Sequence, residues 1–218
     1  MSISNSANIE QLITSPGMEQ DPRKKSILDE AIRTFAELGF RGADVQVIAD
    51  RVGIGKGTVY RNYGTKEELF WAAVSEVDAR LRLDINEVLQ KKLPETVEDF
   101  LRTVAVSYAE FFEKHPDCLE LNVLARSEFR GSIPQTQQEM YQREIDLILN
   151  WFQEGMDRGE LKAMDPRSAS FAFSAMMDGV TSIYCYSDAM GWKRSMVEQM
   201  EIAVDLFFHG IRTSPDTT

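Results

Sequence analysis

The stretch Gly53-Ile54-Gly55-Lys56-Gly57-Thr58-Val59-Tyr60-Arg61-Asn62-Tyr63, followed by Thr65-Lys66-Glu67-Glu68-Leu69-Phe70, constrains this chain more than any other. It reads as a tight glycine turn, a very short helix and a capped helix start. A helix of about two turns is not stable alone, so it must be held by packing. Val59 and Tyr63 are its inward candidates. That leaves polar and cationic groups on its open side. The layout predicts a helix-turn-helix, in which the second helix enters a DNA major groove.

The surrounding sequence supplies the rest of such a head. A first helix is expected over about Pro22–Leu38, with Ile27, Leu28, Ala31, Ile32 and Phe35 on one face and Gly39 as its stop. A second runs over about Asp44–Val52, capped by Asp44 and buried through Val45, Ile48, Ala49 and Val52. Thr65 and Glu68 form a capping box that opens a long fourth helix. Its stripe is Leu69, Ala73, Val77, Leu81, Ile85 and Val88 or Leu89.

Charge supports this division. The 218-residue chain carries a net charge of −11, which alone argues against nucleic acid. Between Pro22 and Lys66, however, nine Lys and Arg stand against five Asp and Glu. A basic head on an acidic body can hold phosphates locally while the body repels them.

Beyond the head the chain reads as further helices. They run over about Glu95–Lys114, from Pro116 to about Arg126, over Gln135–Arg158, from Pro166 onward, and over Lys193–Ile211. No segment keeps a strand alternation, so the expected fold class is all-α. The expected division is a polar arm over 1–21, a DNA-binding domain over 22–66, and a helical effector-binding and dimerisation domain over 67–213. Ser214 to Thr218 reads as a frayed tail. No apolar run is long enough for a membrane helix, and Met1 to Ser6 lacks the pattern of a secretory leader, so a cytoplasmic protein is expected.

In a groove-reading helix, side chains on one exposed face must reach base edges and phosphates. Lys56, Thr58, Tyr60, Arg61 and Asn62 can do so. Gly57 lets the backbone approach, and Lys66 at the next helix start can meet a phosphate. Residues 23–74 also resemble the N-terminal domain of the TetR family of bacterial transcriptional regulators. The resemblance rests on Ile27-Leu28, Ala31, Phe35, Gly39-Phe40, Val45, Ile48-Ala49, Val52-Gly53-Ile54, Lys56 to Tyr60, Tyr63 and Lys66 to Phe70. It covers about a quarter of the chain. It implies that three helices bind operator DNA, that the fourth connects to the body, and that Gln46 faces DNA with the residues already named. The sequence departs from the family at Gly55, where serine often caps, and at Ala43, where threonine often touches a phosphate. Val47 also lacks the acid that would close a capping box on the second helix.

Two further sites are expected in the body. The helix from Pro166 is apolar on most sides, which calls for two burial partners. A second copy of the chain would cover one of them through Phe173, Val180, Tyr184, Val204, Phe207 and Phe208. A homodimer also suits the reading of two operator half-sites. Phe111, Leu124, Trp151, Phe152, Met156, Met176 and Met177 are candidates for a pocket holding a small, mainly apolar effector. The same residues equally suit plain core. Effector binding would reach the head through the fourth helix.

Cys118 and Cys185 make no metal or disulfide pattern, and His115 and His209 have no evident catalytic partner. Neither a cofactor nor a metal nor an enzymatic activity is expected. The leading function is a ligand-responsive homodimeric repressor. The alternative is a helical small-molecule-binding protein or enzyme that keeps the head only as scaffold; Lys56, Tyr60, Arg61 and Lys66 argue against it.

Overall fold

The structure is a computed structural model and describes residues 21–129, 131–187, 189–191 and 194–212. The expected arm, apart from Asp21, and the expected tail lie outside these residues. The described chain is helical, with helices α1 Pro22–Gly42, α2 Val45–Val52, α3 Lys56–Tyr63, α4 Lys66–Lys91, α5 Val97–Lys114, α6 Pro116–Glu128, α7 Gln135–Asp157, α8 Pro166–Tyr184 and α9 Met196–Ile211. An isolated bridge between Leu161 and Arg212 is the β pairing found among the described residues. No helix among them is long and apolar enough to cross a membrane. The fold class is all-α, as read from the sequence.

The starts and stops follow local chemistry. Asp21 caps α1 by accepting from the Arg23 N–H, with Pro22 in the first turn. Gly39, with φ of 70°, kinks the helix where a stop was expected, and helical turns resume to Gly42. Asp44 caps α2 through the Gln46 N–H, and Gly53 closes it in the left-handed region at φ 75°, where a residue with a Cβ would be strained. The box at α4 is formed in both directions. The Thr65 N–H donates to Glu68 Oε2 at 2.7 Å, and the Glu68 N–H donates to Thr65 Oγ1 at 3.1 Å. Asp165 caps α8 with Pro166 behind it.

The chain forms two compact units whose boundary falls inside α4, between Leu83 and Asp84. The first contains α1–α3, α4 as far as Leu83, and His115–Gln138. Its core is aromatic: Phe35, Phe40, Phe70, Trp71 and Phe129 meet with ring centroids 4.9 to 6.1 Å apart. Helix α6 packs on α1 in this unit. The second unit contains Asp84–Lys114 and the chain from Glu139 on. There α9 packs on α5 and α8, and Trp151 stacks on Phe100 at 4.0 Å.

The stripe of α4 is buried as expected, with Leu89 inside and Val88 outside. Its buried polar residues were not foreseen: Glu76, Asp78, Arg82 and Asn86 all lie below one tenth exposed. Asp78 accepts from Gln137 Nε2 at 2.9 Å, and burial still pushes its carboxyl above the ordinary range. Cys118 is buried and Cys185 half-buried.

Candidate nucleic-acid interface

Helix α1 and the two short helices α2 and α3 form the candidate interface by dividing inward from outward residues. Val45, Ile48, Ala49 and Val59 are at most 2% exposed and fix α2 against α3 and α1. By burying these groups, the head offsets the weak intrinsic stability of an eight-residue α3. Two polar ties add to it. The Tyr63 hydroxyl donates to the Lys24 carbonyl at 3.0 Å. Arg51 bridges α2 to α1, donating to Glu30 at 3.0 Å and to Glu37 at 3.1 Å. These acids hold the Arg51 guanidinium above its ordinary range, Glu30 most strongly. The Arg51 clamp had no signal in the sequence, since its partners lie 21 and 14 residues away.

The residues expected to face DNA are open to solvent to differing degrees. Gln46, Gly57, Tyr60, Arg61 and Asn62 are exposed, and Lys56, Thr58 and Lys66 are half-buried. A Cβ added at Gly57 would meet nothing within 4 Å, so its backbone is open to close approach. Gly55 caps α3 without a side-chain bond, as its departure from serine implies. Ala43 is buried at 3% exposure and offers no polar group.

The amide, amine and guanidinium groups of Gln46, Lys56, Arg61, Asn62 and Lys66 each have an internal partner. Lys56 Nζ donates to Asp44 Oδ1 at 2.8 Å and lies 5.9 Å from the Tyr60 ring centroid. Gln46 Nε2 donates to Asp50 Oδ1 at 2.7 Å. Arg61 Nη2 donates to Thr58 Oγ1 at 3.0 Å, and Asn62 Nδ2 to the Thr58 carbonyl at 2.8 Å. Lys66 Nζ sits 3.4 Å from the Arg41 carbonyl and 4.9 Å over the Phe40 ring. Lys56 holds the Asp44 carboxyl below its ordinary range, and Asp44 raises the amine in return. Sequence reasoning took Asp44 only as a helix cap and missed its second role. The Gln46–Asp50 pair has a signal, the i,i+4 spacing; the Asp44–Lys56 pair has none.

The two sites expected in the body come out differently. Trp151 and Phe152 are fully buried, Phe111 is 2% exposed and Met177 7%. Phe152 packs on Phe173 and Phe207, so this aromatic set fills its own core rather than lining an opening. The Trp151 indole N–H nonetheless lacks a hydrogen-bond partner. Met156 is half-buried, its sulfur accepting from the Met164 N–H, and Leu124 lies in the other unit. Of the seven, Met176 alone lines the described cavity of about 650 Å³, with Val180, Ile183, Tyr184, Arg194 and Gln199.

The interface set also needs correction. Phe173, Val204 and Phe208 are 0% exposed within one chain, so they are not available to a partner. Phe207 packs into the same aromatic cluster, while Val180 and Tyr184 are half-exposed. The outward apolar residues are Phe171 at 77%, Leu206 at 71%, Ile183 at 50% and Ile202 at 42%. Among the described residues no group of His, Cys, Asp and Glu could hold a metal ion.

Comparison with known proteins agrees with the head's geometry. The family described as "Bacterial regulatory proteins, tetR family" matches residues 27–73. An uncharacterised HTH-type transcriptional regulator of Bacillus subtilis, YhgD, is 24% identical over 68% of this chain and 77% of its own length. The HTH-type transcriptional repressor AcnR of Corynebacterium diphtheriae is 35% identical over 38% of this chain and 42% of that protein. Among solved structures, the transcriptional regulator FadR of Bacillus subtilis in complex with stearoyl-CoA superimposes with a TM-score of 0.71. It is 21% identical, covering 86% of this chain and 99% of that one.

Proposed function

Since the chain belongs to the TetR family of bacterial transcriptional regulators, we propose that it represses transcription as a homodimer, with α3 of each copy in a DNA major groove. It is a sequence-specific DNA-binding regulator, not an enzyme. The observation that carries the proposed site is the single outward face holding Gln46, Lys56, Tyr60, Arg61 and Lys66 over a packed head. Lys66 takes a phosphate and Arg61 reaches base edges. Operator DNA is the partner, and the cytoplasm is where the protein acts.

Dimerisation rests on the outward apolar residues of α8 and α9, led by Phe171, Ile183, Ile202 and Leu206. Large apolar side chains at this exposure gain by being covered. The effector is a small molecule with a large apolar part. The cavity beside Met176, Val180 and Ile183 suits such a part, and Arg194 and Gln199 suit a polar end. The stearoyl-CoA bound by the structurally similar regulator supports the same ligand class. Such a ligand lowers DNA affinity only as far as it prefers the arrangement that cannot bind DNA.

Selecting bound fragments from genomic DNA and testing them by gel shift examines this reading. Lys66→Ala should weaken binding to every duplex and reduce the salt slope by about one. Arg61→Ala should cost about 1–3 kcal/mol on the selected duplex and little on random DNA. No duplex retained by the wild-type chain would overturn the DNA-binding function itself.

A further inference from the structure

A helix cap needs an oxygen, not a charge: serine and asparagine cap about as well as aspartate. At the start of α2 the chain nevertheless places Asp44 on the face that carries the candidate DNA-reading groups. A carboxylate there repels phosphate. Its geometry shows what it gains in exchange. Oδ1 accepts from the Gln46 N–H at 2.8 Å and from Lys56 Nζ at 2.8 Å. The pair is well exposed, with 60% of the Asp44 side chain and 36% of the Lys56 side chain open to solvent.

An exposed ion pair is ordinarily weak, because two mobile side chains must be ordered to form it. Here one partner is already ordered. The cap bond fixes the carboxylate, so only the lysine loses freedom. The Tyr60 ring centroid lies 5.9 Å from the same amine. The mutual shifts, Asp44 down and Lys56 up, have the sign of a formed pair.

We infer that Asp44 is a positioning residue that competes with DNA phosphate for the Lys56 amine. In the free head it occupies and orients that amine. A random stretch of duplex offers one phosphate in place of one carboxylate and gains little. A matched site seats α3, and the sum of its contacts lets the lysine change partners. Asp44 thereby lowers non-specific affinity more than specific affinity. Asp50, six residues further along, is a second carboxylate, and it accepts from the neutral Gln46 Nε2 at 2.7 Å. The inference rests on the reading of this face as the DNA-binding surface.

The test uses the full chain, a duplex selected from genomic DNA by the wild-type protein, and a random-sequence duplex. Asp44→Ser and Asp44→Asn keep the cap and remove the charge; either suffices if the other folds poorly. Each should bind the random duplex about tenfold more tightly at low salt, with a slope of log K against log salt steeper by about one. The selected duplex should gain less, so the ratio between the two falls. In a Lys56→Ala background the gain should vanish, since the competitor then has nothing to hold. Unchanged random-duplex affinity and slope in the cap-preserving variants would overturn the inference. So would a gain that persists without Lys56, which would make Asp44 a simple repulsive charge. If the wild-type chain retains neither duplex, the DNA-binding reading has failed instead.

Discussion

Helices α1–α3 and helices α8–α9 are both built on apolar stripes, yet the same periodicity led to a correct reading in one and a misplaced one in the other. In the head, every stripe residue has one place to go. Val45, Ile48, Ala49 and Val59 pack inward, and the remaining face is polar by default. In α8 and α9 apolar residues occur on more than one side. Phe173, Val204 and Phe208 lie inside, while Phe171, Ile202 and Leu206 lie outside. Periodicity shows that such a helix has two apolar faces. It does not show which face the chain covers itself.

The sharpest way to break that contrast is to disturb both faces of the α8–α9 pair. Phe173→Ala should destabilise the chain by about 3–5 kcal/mol, because a buried ring is lost and a cavity is left. Urea unfolding measures it. Leu206→Asp changes a side chain that is 71% exposed, so the folded chain should tolerate it. It should instead abolish self-association, seen as a monomer in sedimentation, and make operator binding much weaker. If Leu206→Asp leaves the assembly unchanged, the outward residues of α8 and α9 are not the interface.

Most of the fold was legible in the sequence. Caps at Asp44 and Thr65 and the turn at Gly53 mark helix ends through contacts a few residues long, whereas the Asp21 cap was not read. The outward set on α3 was legible for the same reason: a two-turn helix with one buried side leaves few choices. What stayed hidden depends on partners distant in sequence. Arg51 pairs with Glu30 and Glu37, Asp44 with Lys56, and Asp78 with Gln137. The sequence left pocket and core open for the same residues, because an aromatic at helical spacing lines a cavity and fills a core by the same pattern. Phe100 against Trp151 settles the core role for that tryptophan.

Helix α4 tests whether a stripe can be trusted where charges are buried in it. Asp78 is held above the ordinary carboxylate range, first by burial, against the opposing effects of Gln137 and Arg82. The folded chain therefore binds this proton more tightly than the unfolded chain. Its contribution is present in acid and is lost as pH rises from 3.8 through the folded value. Asp78→Asn cannot ionise, so it should gain stability relative to wild type across that window. Equilibrium unfolding at several pH values measures the difference. A difference that does not vary with pH would mean that Asp78 titrates as an exposed carboxylate does.

The smallest effect lies in the head and asks why that region was so legible. Its most local signal is the Thr65–Glu68 box, formed with both reciprocal bonds. Those bonds hold the Glu68 carboxyl below its usual range, the Thr65 N–H first among the causes. For a lowered carboxyl, stability is present above the unfolded value of 4.5 and is lost as pH falls through the folded one. Glu68→Gln keeps an acceptor at the third helical position but removes the charge at the helix N-terminus. Its melting temperature should fall slightly below wild type at pH 7 and converge with it in acid. The side chain is exposed, so salt should also shrink the gap. A gap that stays constant from acid to neutral pH would show that the carboxylate's charge is irrelevant. The head would then owe its form to the packing of Val59 and its neighbours, with the capping box a marker of the helix start rather than a cause.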